Sequence, residues 1–295
     1  MKLRLGVRGM MWLTLVIMMW GIISCRTQEE KCLEEVLSLP LANKEELQKV
    51  LDHYKDDSLK YQAVCFLIRN MPFHAGYEGN ALKHYYQYFD IYAQGKLGPH
   101  EVIDSLKENS FSVSQLKRIE DIANIDSSLL VQNVDWAFKV WREQPWGKNV
   151  SFDNFCEFVL PYRLGDEPLG FWREDIYKRY NPILDSIRLL PQAQDPLVAA
   201  KVLMDSLVVE PSHFTGLFPT GPHLGPSVVS WRAGSCREFA DLVVYVMRAL
   251  GIPCGTDYMA MRGDNNVPHF WNFTLDKRWK KRILRNFPIL IGNGL

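Results

Sequence analysis

The sequence lacks several features that would assign a function at once. Its Lys and Arg residues number 34, as do its Asp and Glu residues, so net charge gives no reason to expect a nucleic-acid partner. It contains no internal repeat, no low-complexity tract and no glycine-rich phosphate loop, which excludes repeat solenoids and the common nucleotide-binding motifs. The six cysteines are irregularly spaced and match neither a metal site nor a dense disulfide framework. We therefore expect no metal and no organic cofactor.

Apolar residues, in contrast, are plentiful. The chain has 295 residues, of which 47% are hydrophobic, and this is enough to bury one large core or two modest ones. From residue 43 to about 190 the apolar positions recur at helical spacing, as in Leu130, Val134 and Phe138. We expect a mostly helical region over 43–190, followed by a smaller mixed core over 191–276, and hence an α+β fold.

The amino terminus is built like a secretory signal. Basic residues among the first eight precede an apolar run over 9–23, which is too short for a comfortable membrane span. The run ends in Ile-Ile-Ser-Cys at Cys25 and resembles a lipobox, whose cysteine is lipidated and becomes the first mature residue. We expect residues 1–24 to be a lipoprotein signal peptide and the polar stretch 25–42 to be a tether. The alternatives are an ordinary signal with a chance cysteine, or an uncleaved amino-terminal helix.

Three segments before residue 235 need separate interpretation. Trp136 and Trp141 could form a carbohydrate platform, but aromatic residues at helical spacing favour a core role. The segment 160–172, with Arg163 and Glu167, is interpreted as a structured loop holding a local ion pair rather than an acid/base site. Proline and glycine are dense over 210–234, which predicts a long ordered loop without regular elements.

The motif Ser235-Cys236-Arg237-Glu238 predicts the start of a helix. Ser at the N-cap with Glu at the third helical position forms a capping box, and apolar residues then follow on one face until Gly251. Cys236 would therefore lie at the first helical position, where free N–H groups and the helix dipole favour a thiolate and lower its pKa. The same N–H groups can bind the oxyanion of an acyl-transfer intermediate.

A β-hairpin is predicted after this helix. Two strand-like stretches, 254–261 and 267–276, flank a turn. In the second stretch the side chains of His269 and Phe270 point to opposite faces. A histidine held on a strand beside a helix-terminal cysteine is the pair that nucleophilic cysteine enzymes require.

These residues resemble a known family. The run GSCREFADLVVYVMRALGIPC followed by PHFWNFTLD is similar to the transglutaminase-like superfamily, whose papain-like core packs a cysteine-bearing helix against strands carrying histidine and an acid. FLIRNMP and FCEFVLPYRLGDEPLGFWRED resemble the helical region preceding this core in Bacteroidetes lipoproteins. The resemblance implies Cys236 as nucleophile, His269 as general base and Trp231 as an oxyanion-assisting side chain. A lone cysteine or histidine is more often structural, but the joint motif favours catalysis.

The third member of a triad is not evident. The family places an aspartate on the next strand, but that stretch has none, and Asp276 points to the opposite face of the His269 strand. Asn286 is the substitute that we expect to orient the imidazole, and Asn293 is a weaker one.

The last 19 residues, 277–295, form an atypical basic tail. They hold six basic residues and no acidic one. We interpret this tail either as a truncated or frame-shifted end of the core or as a divergent basic surface strand.

Two functions follow. The first is a cysteine acyl-transfer enzyme that acts on a protein or peptide substrate, with hydrolysis of an amide favoured over cross-linking. The second is a non-catalytic binding or structural lipoprotein that keeps the fold, which the missing acid favours. Either would be exported and held by its lipid at the cell envelope, with the outer membrane as the expected site.

Overall fold

The computed structural model describes residues 28–108, 112–216, 221–261, 263 and 268–284. The chain divides into two compact units, Met1–Ala42 and Asn43–Leu295. In the first unit, helix α1 spans Gln28–Leu37 and buries Leu33 and Val36. The predicted signal peptide 1–24 and the predicted lipidation site Cys25 lie outside the described residues.

The second unit is α+β, with helices dominant. Its helices are α2 Lys44–His53, α3 Ser58–Asn70, α4 Asn80–Ala93, α5 Pro99–Glu108, α6 Asp121–Asn124, α7 Ser127–Glu143, α8 Phe152–Phe158, α9 Arg173–Tyr180, α10 Pro196–Leu207, α11 Val228–Trp231 and α12 Cys236–Ala249. Its strands are β1 Ala75–Glu78, β2 Lys117–Glu120, β3 His213–Phe214, β4 Ala233–Gly234, β5 Cys254–Met259, β6 His269–Leu275 and β7 Lys281–Ile283. Short 3₁₀ turns join several of them.

Local signals in the sequence explain where the helices begin. In α7 the Asp126 carboxylate accepts the N–H of Ser128, and apolar side chains at helical spacing then form its buried face. In α10 the Asp195 carboxylate accepts the N–H of Leu197, with proline at the first helical position. The apolar spacing of Leu130, Val134 and Phe138 predicted a helix at those positions, and α7 confirms it.

Regular structure differs from expectation in two places. The helical region also contains an antiparallel pair, β1 with β2, which begins with Ala75 opposite Glu120. The proline-rich stretch 210–234 was expected to lack regular elements, and this was wrong, since it contains β3, a 3₁₀ turn, α11 and β4, with β3 and β4 parallel. These elements are short and depend on distant partners, so no local periodicity announces them.

The predicted ion pair of the loop 160–172 is not local. The Arg163 guanidinium lies 2.9 Å from the carboxylate of Asp121, in α6, and both side chains are buried. Glu167 is buried as well, and it accepts a backbone N–H from Gly165 and the hydroxyl of Tyr245. The loop is therefore structured, as predicted, and it is anchored to α6 and α12 as well as by hydrogen bonds within itself.

Helix α12 runs through the centre of the second unit. Every residue from Glu238 to Ala249 is buried. It packs against α9 and against an antiparallel sheet in the order β5-β6-β7. In this sheet Met259 lies opposite His269, which confirms the predicted hairpin.

Part of the basic tail belongs to this sheet. Strand β7 pairs with β6. Lys281 forms an ion pair with Asp257, and Arg282 lies 2.6 Å from Asp276. The tail has no acid of its own, but its described part finds acidic partners on β5 and at the end of β6, as a basic surface strand would.

The large aromatic side chains are mostly core. Trp146 and Trp172 are buried, while Trp136 and Trp141 are half-buried and each contact a neighbouring aromatic ring. These contacts favour the core interpretation over a sugar platform. Among the residues that the structure describes, no helix combines the length and the apolar character needed to cross a bilayer.

Candidate active site

The start of α12 is fixed by a complete capping box. The Ser235 hydroxyl accepts the N–H of Arg237, while the Glu238 carboxylate accepts the N–H of Ser235 at 2.9 Å. Gly234 has a φ of +135° and packs so closely on Glu238 that a Cβ would lie 2.6 Å from that side chain. The box explains why glycine and serine must precede the cysteine, and it sets Cys236 at the first helical position as predicted.

An ion pair strengthens the same box. Arg237 donates to Glu238 at 2.7 Å and to the carbonyls of Gly221 and Pro222. Burial opposes ionisation of Glu238, but the adjacent Arg237 guanidinium keeps the pKa of this carboxyl below its usual value. The helix start therefore holds the 221–222 segment beside the candidate nucleophile.

The candidate nucleophile meets strand β6 at the residue after the candidate base. The Cys236 thiol is half-buried, and the backbone N–H of Phe270 lies close enough to lower its pKa. His269, the preceding residue, is half-buried, and its ring centroid lies 5.7 Å from that of Trp271. The thiol and the histidine-bearing strand are thus brought together.

The faces of β6 define this approach further. The Asn272 side chain reaches α12, whereas the Phe273 ring packs on Phe158 of α8. Because side chains alternate along a strand, His269 belongs to the face of Phe273 and not to the face that covers α12. For His269 to act on the Cys236 thiol, its imidazole would have to pass around the strand near the backbone of Phe270.

The expected thiolate is not what the structure favours at rest. Burial raises the pKa of the Cys236 thiol above its usual value, and the charge of Glu238 acts in the same direction. Backbone N–H groups, that of Phe270 first among them, lower the pKa by less. The prediction of a lowered pKa was wrong because it counted the helix terminus and omitted the cost of burying the charge. A thiol in this state needs a base to remove its proton.

Trp231 does not point its N–H at an open site. The indole N–H donates to the carboxylate of Asp90 at 3.2 Å, and the ring contacts Tyr86 and Phe89 on α4. A role in binding an oxyanion would require this hydrogen bond to break. The backbone N–H groups at the start of α12 are better placed for that role.

The third catalytic member stays a prediction. Asn286 and Asn293 lie outside the described residues. Asp276 accepts the N–H groups of Arg278 and Lys280 and pairs with Arg282, so its carboxylate closes the turn between β6 and β7.

One pair of ionisable residues was missed. His223 donates from Nδ1 to Asp241 of α12 at 2.7 Å, and Asp166 accepts the backbone N–H of His223. Burial lowers the pKa of His223, but the Asp241 carboxylate more than offsets it and raises that pKa to about 9. The one available signal was an aspartate inside an otherwise apolar helix, because a buried carboxylate requires a partner.

The described residues contain no group of three or more His, Cys, Asp and Glu side chains arranged to hold a metal ion. Comparison of the chain with protein-family models, with curated proteins and with solved structures gave no match.

Proposed function

We propose that residues 191–276 of the second unit form a transglutaminase-like, papain-like core that transfers acyl groups through Cys236 and His269. The observation that carries this proposal is the Cys236 thiol at the first position of a capped, buried helix, near the backbone N–H of Phe270, the residue that follows His269. A nucleophile on a rigid helix and a base on a rigid strand are the arrangement that covalent cysteine catalysis requires.

The reaction balances with these two side chains. His269 accepts the thiol proton as sulfur attacks the carbonyl carbon of an amide, and the oxyanion that forms is bound by N–H groups at the start of α12. His269 then gives the proton to the leaving amine as the carbon–nitrogen bond breaks, which leaves a thioester on Cys236. Water attacks the thioester, a carboxylic acid departs and the thiol is restored. Hydrolysis of a peptide amide is favoured over cross-linking, because water is abundant outside the cell.

The test uses a generic acyl donor. With p-nitrophenyl acetate, mass spectrometry of the intact protein and its peptides should find an acetyl group on Cys236, formed with release of p-nitrophenolate. Cys236→Ser should abolish thioester formation, and His269→Ala should slow it by roughly a hundredfold. Acetylation of Cys65 and Cys156, which are buried, provides the internal reference. Equal acylation rates for the parent and His269→Ala would remove the enzyme proposal.

A second function has its own observations. The Cys236 pKa is raised, and the Trp231 indole N–H is already bonded to Asp90. His269 lies on the face of β6 that does not cover α12. These three features suit a non-catalytic binding or structural protein. Such a protein would keep the buried helix and the hairpin without acylating Cys236. We propose for either function that the chain is exported and held at the cell envelope through a lipid on Cys25, with a protein or peptide as its partner.

A further inference from the structure

Fold stability alone does not explain why position 272 holds an asparagine. It lies in the middle of β6, and 7% of its surface is exposed. Asparagine is among the residues that strands disfavour, and a buried amide loses its hydration unless it is bonded. A β-branched apolar residue would suit a strand position facing a buried helix better. The choice of asparagine therefore points to a directional contact.

That contact joins the strand to the cysteine helix. The Asn272 amide donates to the carbonyl of Ala240 at 3.0 Å and to the hydroxyl of Thr256, on β5, at 3.3 Å. Ala240 lies one helical turn beyond Cys236, so its carbonyl has a fixed position relative to the thiol. A hydrogen bond has a preferred distance and direction, whereas the apolar contacts around it allow small sliding movements.

We infer that Asn272 is a positioning residue, which fixes the register of β6 on α12 and thereby the separation of Cys236 from His269. This inference rests on the proposed Cys236–His269 pair. Two contacts join β6 to α12, one turn of the helix apart. They are the hydrogen bond from the Asn272 amide to the Ala240 carbonyl and the approach of the Phe270 N–H to the Cys236 thiol. Without the Asn272–Ala240 hydrogen bond, the contact at Phe270 would be left to hold the strand near the nucleophile.

Thr274 supplies a matched control. It is fully buried, lies on the same face of β6, and donates its hydroxyl to a main-chain carbonyl, that of Pro253, at 2.7 Å. Thr274→Val and Asn272→Val each remove one buried side-chain hydrogen bond to a carbonyl and keep a residue that suits a strand. They differ in that Pro253 lies beyond the end of α12 whereas Ala240 lies within it, and in that Asn272→Val also removes the bond to Thr256 within the sheet.

The experiment measures acylation of Cys236 by p-nitrophenyl acetate across pH, together with urea unfolding of each variant. Asn272→Val should slow acylation about tenfold or more, since a displacement of about 1 Å at a reacting centre has effects of this size. Thr274→Val should acylate at the parental rate despite a similar loss of stability. Asn272→Ser, which is smaller and also loses the amide, should behave as Asn272→Val does and serves where the valine variant does not fold.

The outcomes separate the two proposals. If His269→Ala matches the parent, the proposed function fails before Asn272 is considered. If His269→Ala is slow but Asn272→Val and Asn272→Ser match the parent, Asn272 is structural and the positioning role is wrong. If Thr274→Val is as slow as Asn272→Val, the effect reflects general loosening of the sheet, and the positioning role is again overturned.

Discussion

At the scale of single residues, Cys236 shows which properties a local sequence motif predicts and which it does not. The capping box, the helix start and the neighbouring strand all follow from local pattern and are confirmed. The protonation state does not follow, because it depends on how much of α12 is buried by elements from the rest of the chain. The sign of the pKa shift is therefore set by the tertiary structure.

The raised pKa of Cys236 predicts how the alkylation rate of this thiol depends on pH. The rate of iodoacetamide labelling should climb with pH and reach half its plateau above the ordinary thiol value of about 8.5, since the thiolate is the reactive form. Labelling would be followed by peptide mass spectrometry across neutral and alkaline pH, with a small unfolded cysteine peptide as reference. A midpoint well below that of the peptide would show that the helix terminus outweighs burial after all.

His223 and Asp241 predict a pH-dependent contribution to stability. The folded pKa of about 9 lies above the ordinary histidine value of about 6.5, so this contribution is complete below about pH 6.5 and is lost as pH rises through 9. The His223 side chain is 24% exposed, and we expect at most about 2 to 3 kcal/mol. His223→Gln keeps a neutral donor for Asp241 and removes the charge.

Urea unfolding of the parent and of His223→Gln, at pH values on both sides of this window, checks the prediction. The difference in unfolding free energy should be largest at the acidic end and should shrink toward the alkaline end. Titrating groups remote from His223 are common to both proteins and cancel in the difference, whereas the Asp241 carboxyl, whose pKa burial raises and the imidazolium lowers, belongs to the measured pair. A difference that stays constant with pH would mean that the imidazole is neutral in the folded protein.

At the scale of elements, length decided what could be predicted. Helices α7 and α12 each have a cap and several turns of apolar periodicity, and both were expected. The strands β1 to β4 are short, and the pairs that hold them join segments far apart in sequence. Such elements are products of the tertiary structure and carry no local signature.

The capping box of α12 can be tested as an element. Ser235→Ala removes the hydroxyl that accepts the N–H of Arg237 and donates to Glu238, leaving a buried carboxylate oxygen with one partner fewer. We expect a loss of about 1 to 2 kcal/mol in unfolding free energy, within the range measured for N-cap residues. Ser235→Thr keeps the hydroxyl and should lose less. Equal losses for alanine and threonine would show that space, not capping, matters at this position.

At the scale of the whole molecule, attachment and folding make separate predictions. If Cys25 carries a lipid, Cys25→Ala should move the protein from the membrane fraction to the soluble one or leave an uncleaved precursor. Cell fractionation with immunoblotting measures both, with Cys32→Ala as the control substitution on the neighbouring cysteine. Membrane attachment of a normally sized Cys25→Ala product would contradict lipidation at this residue.

The folding prediction concerns Arg173, a buried cation that holds distant segments together. It donates to Asn133 of α7 at 2.6 Å, to the carbonyl of Arg248 in α12 at 3.1 Å and to the carbonyl of Val159 at 2.7 Å. Burial and the nearby charge of Arg248 lower the pKa of the Arg173 guanidinium. The oxygen acceptors around it satisfy its N–H donors. The helical region and the cysteine helix thus share one polar centre.

Arg173→Met keeps most of the side-chain volume and leaves those acceptors without their donor. We expect a loss of about 3 to 5 kcal/mol in unfolding free energy, the range for breaking a buried charged network. Arg179→Met, on the exposed side of the same helix and paired with Glu210, is the matched control and should cost less than about 1 kcal/mol. Because the shared centre joins both regions, tryptophan fluorescence and far-ultraviolet circular dichroism should report one coincident transition in the parent. Separate transitions in the parent, or equal losses in the two variants, would show that the regions fold independently of Arg173.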